Sequence, residues 1–283
     1  MLLFFLSTCL VSNPKKTCHS CKNRRIITYK SYLRKPILYS QIKTDPARET
    51  LKQTFYRQVK VIKETLRYSG DRPLTNRGMD KQTEQKIMET IEVLEASNPV
   101  PNPLTSQAIE LLQGNWKLIF STAREITTLS SLPPIFQLQS VYQIIDLKNR
   151  RLENRAELDV AGAIKASVRV TGKFYPVSES TSTPPELQET SLDSKTRERI
   201  RKLLEGRRVN VKFQKRSFGI ESIFGVPVKS FLETLRQVNV APLTRREPSL
   251  DITYLEESFR IGRGGDGGIF VLERVAPIDI RQK

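Results

Sequence analysis

The chain has 283 residues, 38% of them hydrophobic and 27% charged, with 47 Lys/Arg against 30 Asp/Glu for a net charge of +17. Those proportions are ordinary for a globular protein, and no apolar run approaches the roughly 18 residues that would suggest a membrane-spanning helix. The charge is uneven: residues 1–44 hold nine basic residues and no acid, so 38 basic residues face 30 acids in the remainder, a net +8. The high pI therefore does not argue for nucleic-acid binding, because about half of the positive charge sits in a segment that reads as removable.

Residues 1–44 are basic, acid-free and contain Ser and Thr, the composition of an organelle transit peptide. The apolar opening Met1–Leu6, running on to Val11, is also similar to a secretory core but has no positive residue before it. A two-part leader, a mitochondrial address and an unprocessed N-terminus are the alternatives. Cys9, Cys18, Cys21 and His19, the chain's full complement of Cys and His, all lie in this segment. Cys18-His19-Ser20-Cys21 is a lone CxxC without a second ligand pair, so no metal site is expected. With the leader removed, Ser-His-Asp, Cys-His and His-metal chemistry are all excluded. No catalytic residue is assigned.

From Ala47 to Tyr68, Leu51, Phe55, Val59, Ile62 and Leu66 recur at helical spacing after an Asp45-Pro46 start signal. A second helix is expected over Asp80–Ala96, with Ile87, Met88, Ile91 and Leu94 on one face, stopped by Asn98-Pro99 and the prolines after it. A short third helix is expected over Thr105–Leu112. The period then changes to two. Trp116, Leu118 and Phe120 open a strand, and further strands are expected over Phe136–Ile145, Arg150–Asp159, Ile164–Tyr175, Arg207–Phe218, Ser249–Leu255, Ser258–Arg263 and Gly268–Val275. About eight strands without βαβ spacing predict a mainly β chain, an antiparallel barrel or sandwich behind an N-terminal helical segment. The charged stretch 176–206 reads as a surface excursion, partly helical.

Three stretches are similar to the plastid-lipid-associated (fibrillin) family: Leu94-Glu95 with Asn98-Pro99; Gly114-Asn115-Trp116 and the strand after it; and Leu250–Leu255 continuing through Arg260–Gly265 to Ile269–Arg274. Asp266 departs from the family pattern, which more usually has a basic or small residue there. The resemblance covers about residues 47–275 apart from the excursion. It implies a lipocalin-like barrel of about eight strands over 104–283, a helical segment over 45–103 and a plastid transit peptide over 1–44. It also implies residence in stroma, at thylakoids or on plastoglobules, and binding, sequestration or transport of carotenoids, prenylquinones or other apolar lipids. No cofactor is implied beyond such a bound lipid. A coat or scaffold on plastid membranes or lipid droplets, and a non-catalytic accessory of prenylquinone metabolism, are the alternatives.

Within such a barrel, alternation predicts an inward, ligand-facing set of Leu118, Phe120, Gln143, Val170, Phe213, Ile252, Tyr254 and Phe270, joined by Val141, Ile145, Val168, Val209, Val211 and Leu272. Trp116 is expected to close one end, stacked on Arg274. The apolar connection carrying Leu129, Leu132, Ile135 and Phe136 is expected to serve as a lid or to touch a lipid surface. Gly262-Arg263-Gly264-Gly265-Asp266-Gly267 matches GxGxxG, but a strand rather than a helix follows it, so a hairpin is expected and not a nucleotide site.

Overall fold

The computed structural model describes residues 45–68, 70–105, 108–179, 183–188, 193–228, 238–239 and 248–276. The expected leader, with its cysteines and histidine, lies outside the described residues.

Helix α1 spans Pro46–Thr65 and α2 spans Lys81–Ala96. The Asp45 carboxylate accepts from the Ala47 N–H at 3.0 Å and Pro46 fills the first turn, while Asp80 accepts from the Thr83 N–H at 2.9 Å. Each helix buries one stripe: Lys52, Phe55, Val59 and Ile62 on α1, and Ile87, Ile91 and Leu94 on α2. The expected third helix is shorter, a 3-10 turn over Ile109–Leu112.

The strands are β1 Leu74–Thr75, β2 Gly114–Ser121, β3 Phe136–Asp146, β4 Arg151–Val160, β5 Ile164–Pro176, β6 Arg208–Ile223, β7 Val226–Pro227, β8 Val238–Asn239, β9 Ser249–Leu255, β10 Phe259–Gly264 and β11 Ile269–Val275. Eight of them form a closed antiparallel meander: β2 to β6 in order, then β9, β10 and β11, with β11 returning to β2. Closure removes the exposed sheet edges that an open meander would leave. β1 adds a short parallel pair to β2, and β7 and β8 lie on β6. β6 runs five residues past the predicted Phe218 end. The GxGxxG segment forms the β10–β11 hairpin, with Gly267 at φ 87°.

The wall is uneven. β3 to β6 are 10 to 16 residues long, whereas β2, β9, β10 and β11 have 6 to 8. At the seam, among the described residues, β6 pairs with β9 at Arg208↔Asp251, Val209↔Leu250 and Asn210↔Ser249, and the Val211 N–H donates to the Pro248 carbonyl at 2.8 Å beside them. The upper part of β6 bonds instead to β7 and β8.

The described residues form two cores. One fills the barrel and includes Trp116, Leu118, Val141, Ile145, Leu152, Ala156, Val209, Val211, Ile252 and Leu272. The other lies outside it, where the stripes of α1 and α2 pack on Ile119, Phe120, Tyr254, Phe259, Ile261, Ile269 and Val271. Phe120 and Tyr254 therefore do not take the inward positions that alternation predicts for them. A bulge between Val271 and Leu272 in the β11–β2 ladder leaves Ile119 unpaired, and another between Ile261 and Gly262 leaves Thr253 unpaired on β9. One extra residue reverses the face of all that follows. Leu118 and Ile252 stay inside, while Phe120 and Tyr254 turn out beneath the helices.

The 176–206 excursion contains 3-10 turns over Val177–Glu179 and Pro185–Leu187, then helix α4, Ser194–Arg207. Its end docks on the chain ahead of the barrel. The Leu104 N–H donates to the Gly206 carbonyl at 3.0 Å, and a Cβ at Gly206 would stand 2.4 Å from Asn102 Oδ1.

On the tall side, Glu221 accepts from Arg155 Nη2 at 2.7 Å and from Arg169 Nη2 at 3.0 Å. Burial works to raise the Glu221 carboxyl, but the charges of Arg155 and Arg169 outweigh it and hold it below the usual glutamate value. A lowered carboxyl pKa adds stability above the unfolded value and loses it as pH falls through the folded one. Glu221→Gln should thus be less stable than wild type at pH 7, by about 0.5–1 kcal/mol after solvent screening. The gap should close in acid below about pH 4. Urea midpoints at pH 7 and pH 3 measure it, and a gap that persists at pH 3 contradicts this electrostatic origin.

Candidate functional site

The floor of the barrel is built around Trp116, which is 0% exposed and donates its indole N–H to the Leu112 carbonyl at 3.0 Å. The Arg274 guanidinium carbon stands 4.3 Å from the centroid of the Trp116 ring and that of Arg260 4.8 Å from it. Arg274 also donates to the Leu111, Gln113 and Glu257 carbonyls, which ties β11 to the 3-10 turn and to the β9–β10 turn. Gly114 makes room for this: its φ is 121°, and a Cβ there would stand 2.7 Å from Arg274 Nη1. That geometry is the local reason for a glycine two residues ahead of the tryptophan.

Arg260 is different. It occupies an inward position on β10 between two residues, Phe259 and Ile261, that face the helices, and it is 1% exposed. Among the described residues its only polar partner is Gln143 Oε1, and its Nε has none. Gln143 in turn donates to Asn154 Oδ1 at 3.1 Å, so a polar chain crosses from β10 to β3 and β4. Burial, with the charge of Arg274 adding to it, pulls Arg260 down to about 9, and it remains a cation at neutral pH.

Above this floor the wall is apolar and incompletely covered. Val160, Val168, Phe213, Phe218, Leu250 and Phe270 pack against the interior cluster yet stay only partly buried. Ala156 and Ala166 keep the middle of the barrel narrow in side-chain bulk. Helix α3, Arg124–Leu129, follows β2 at the upper end, and Ile126, Leu129 and Leu132 pack over the same cluster. Arg72 Nη2 holds this connection by donating to the Ser130 carbonyl at 2.6 Å. At the same rim Ile135 is 52% exposed, Phe224 82% and Val226 68%.

A family model described as PAP_fibrillin matches residues 72–183 and 186–273, which is nearly the whole of this barrel and the second helix. The chain belongs to the PAP/fibrillin family. It is 30% identical over 200 residues to plastid lipid-associated protein 3, chloroplastic, of Brassica campestris, covering 67% of this chain and 53% of that one. It is 28% identical over 233 residues to the chromoplast-specific carotenoid-associated protein of Cucumis sativus, covering 70% and 63%. It is 29% identical over 212 residues to plastoglobulin-1 of Pisum sativum, covering 67% and 54%. The matched part spans a little over half to under two thirds of these relatives. No solved structure matches the chain. The relatives are chloroplastic and chromoplastic proteins, and this fibrillin is a plastid protein. Their names denote lipid-associated proteins rather than enzymes.

In this fibrillin, the residues singled out from sequence fall into three places. Leu118, Gln143, Phe213, Ile252 and Phe270 line the interior, as do Val141, Ile145, Val168, Val209, Val211 and Leu272, and Val170 is half-buried two residues along β5 from Val168. Phe120 and Tyr254 belong to the helix-facing core. Of the upper connection, Leu129 and Leu132 lean onto the interior cluster, Phe136 begins β3 opposite Val160, and Ile135 points to solvent. Arg260 was not singled out. Its signal is a charged residue at an inward place in the strand Phe259-Arg260-Ile261, but the register was needed to say which of the three faces in.

Proposed function

We propose that this fibrillin binds an apolar plastid lipid in the upper half of its barrel. The observation that carries the reading is the ring of half-buried apolar side chains, Val168, Phe213, Phe218, Leu250 and Phe270, which face the interior without being sealed by it. An eight-stranded barrel has room for one small ligand at most, so the stoichiometry is one lipid per chain. Burying a methylene contributes about 0.8 kcal/mol, and a few isoprenoid units reach the roughly 8 kcal/mol of micromolar affinity after ordering costs. The carotenoid-associated relative is consistent with a carotenoid as the lipid.

Native mass spectrometry of the full chain incubated with a plastid lipid extract tests this. One retained carotenoid or quinone per chain is the expected result, and Phe213→Ala, which removes a wall residue, should reduce retention about tenfold or more. A protein that emerges folded and empty would sink the carrier reading.

A second reading rests on Ile135, Phe224 and Val226, three exposed apolar side chains at one end of the barrel. They suit adhesion to a membrane or lipid-droplet surface, the behaviour of a coat. Flotation with plastid-lipid vesicles separates the two readings: a pure carrier stays at the bottom of the gradient, and a coat rises with the vesicles.

A further inference from the structure

A buried guanidinium without a counter-ion is costly, and it is kept only where its remaining donors find a partner. Arg260 is such a group, 1% exposed, and its surroundings leave one edge unsatisfied. The Trp116 ring faces it at 4.8 Å, and Gln143 accepts from one terminal nitrogen. Its Nε is left with nothing to bond. Arg274, on the same ring, spends its donors on the backbone of the floor. Among the described residues no carboxylate bonds Arg260, and Asp251, beside inward-facing Leu250 and Ile252, is engaged with Arg208. The barrel therefore presents a desolvated cation near its floor, beside Gln143 and Asn154, with the apolar side chains of Val168, Phe213 and Phe270 above it.

We propose that Arg260 is the head-group site of this barrel and that its ligand is an amphiphile carrying a single carboxylate, seated head-down on Arg260 with its apolar tail running up between Val168, Phe213 and Phe270. This rests on the carrier reading above, one apolar chain held in the upper barrel, and assigns that chain to a long-chain acid in place of a carotenoid or quinone. A carboxylate fits the open edge because its two oxygens take Nε and a terminal nitrogen side by side. Gln143 and Asn154, already linked at 3.1 Å, hold the guanidinium in place from the other side. Gln143 and Phe136 lie seven residues apart on β3, so roughly 20 Å of wall at about 3.3 Å per residue accommodates a long acyl or isoprenoid chain.

Trp116 is the chain's only tryptophan and touches Arg260, so its emission reports on the site directly. The full chain is titrated with cis-parinaric acid and, separately, with its methyl ester, which has the same tail and no charge. The acid is expected to bind about ten- to a hundredfold more tightly, the effect of one charge-assisted hydrogen-bonded pair, and to quench Trp116. In Arg260→Gln the acid should fall to the affinity of the ester while the ester is unchanged, which also shows that the variant is folded. Equal binding of acid and ester by wild type would overturn the head-group assignment and leave the carrier reading standing. Discrimination that survives Arg260→Gln would place the head elsewhere. Binding of neither probe would remove both the assignment and the carrier reading beneath it.

Discussion

Asp251→Ala is expected to lower stability by about 3–5 kcal/mol, because it strands a buried guanidinium at the weakest seam of the barrel. Among the described residues β6 and β9 share three residue pairs, and Arg208↔Asp251 is the lowest of them. Arg208 donates to Asp251 twice, Nε to Oδ1 at 2.5 Å and Nη2 to Oδ2 at 2.8 Å, with both side chains about nine-tenths buried. The other partner of Arg208, Glu186, is 43% exposed and sits on a 3-10 turn rather than on the sheet, so it does not replace the lost contact across the seam. Urea unfolding measures the loss, and hydrogen exchange should localise early opening to the amides of Arg208–Asn210 and Ser249–Asp251. The double variant Arg208→Met/Asp251→Leu should recover most of the deficit, since the charge it leaves unpaired, Glu186, is exposed and not buried. A loss under about 1 kcal/mol for Asp251→Ala, or a double variant as damaged as the single, would mean that the seam is held by its apolar neighbours and not by this pair.

How far the sequence discloses this architecture depends on the length of each pattern. α1 and α2 are plain because their stripes repeat over several turns and both begin with an Asp cap. Strands of ten or more residues, such as β4 and β5, carry enough alternation to be placed, and Val168, expected inward on β5, does lie on the interior cluster. The short strands are where inference fails, and bulges are the cause. Leu118-Ile119-Phe120 and Ile252-Thr253-Tyr254 each hold one unpaired residue, so Phe120 and Tyr254 change sides. The consecutive apolar residues at 118–120 were the available warning, since a strand buried on both faces loses its alternation. Those two aromatics bury against helices far earlier in the chain, and nothing local encodes that partnership. Arg260 was missed for a related reason. An arginine between Phe259 and Ile261 reads as an outward residue of an amphipathic strand until the second core, covering the outer face, is known. The candidate site is thus half legible: its apolar wall follows from period two, and its one charged member does not.

Phe55→Ala tests whether that second core makes the helices part of the barrel's folding unit. Phe55 is 0% exposed and meets three rings edge-on: Tyr56 at 6.0 Å between centroids, Phe120 at 6.4 Å and Phe259 at 5.8 Å. Two of those rings belong to barrel strands, so truncation opens a cavity shared by α1, β2 and β10, with an expected loss of about 3–5 kcal/mol. For a chain of this size the melting temperature should fall on the order of 10 °C. Polar contacts along α1, Lys52 to Glu256 at 2.7 Å and Tyr56 to Glu273 at 3.3 Å, tie the same helix to β9–β11 but cannot fill the space. Circular dichroism follows the helices and Trp116 emission follows the barrel floor, and the two transitions should shift together. If the helical signal melts early while Trp116 is undisturbed, α1 is an appendage that leaves the barrel intact. Coincident shifts mean that α1, although it precedes the family match beginning at residue 72, is a structural wall for the strands that carry Arg260 and Arg274. In that case the geometry of the head-group site depends on a helix lying outside the barrel, and weakening α1 should loosen ligand binding as well as stability.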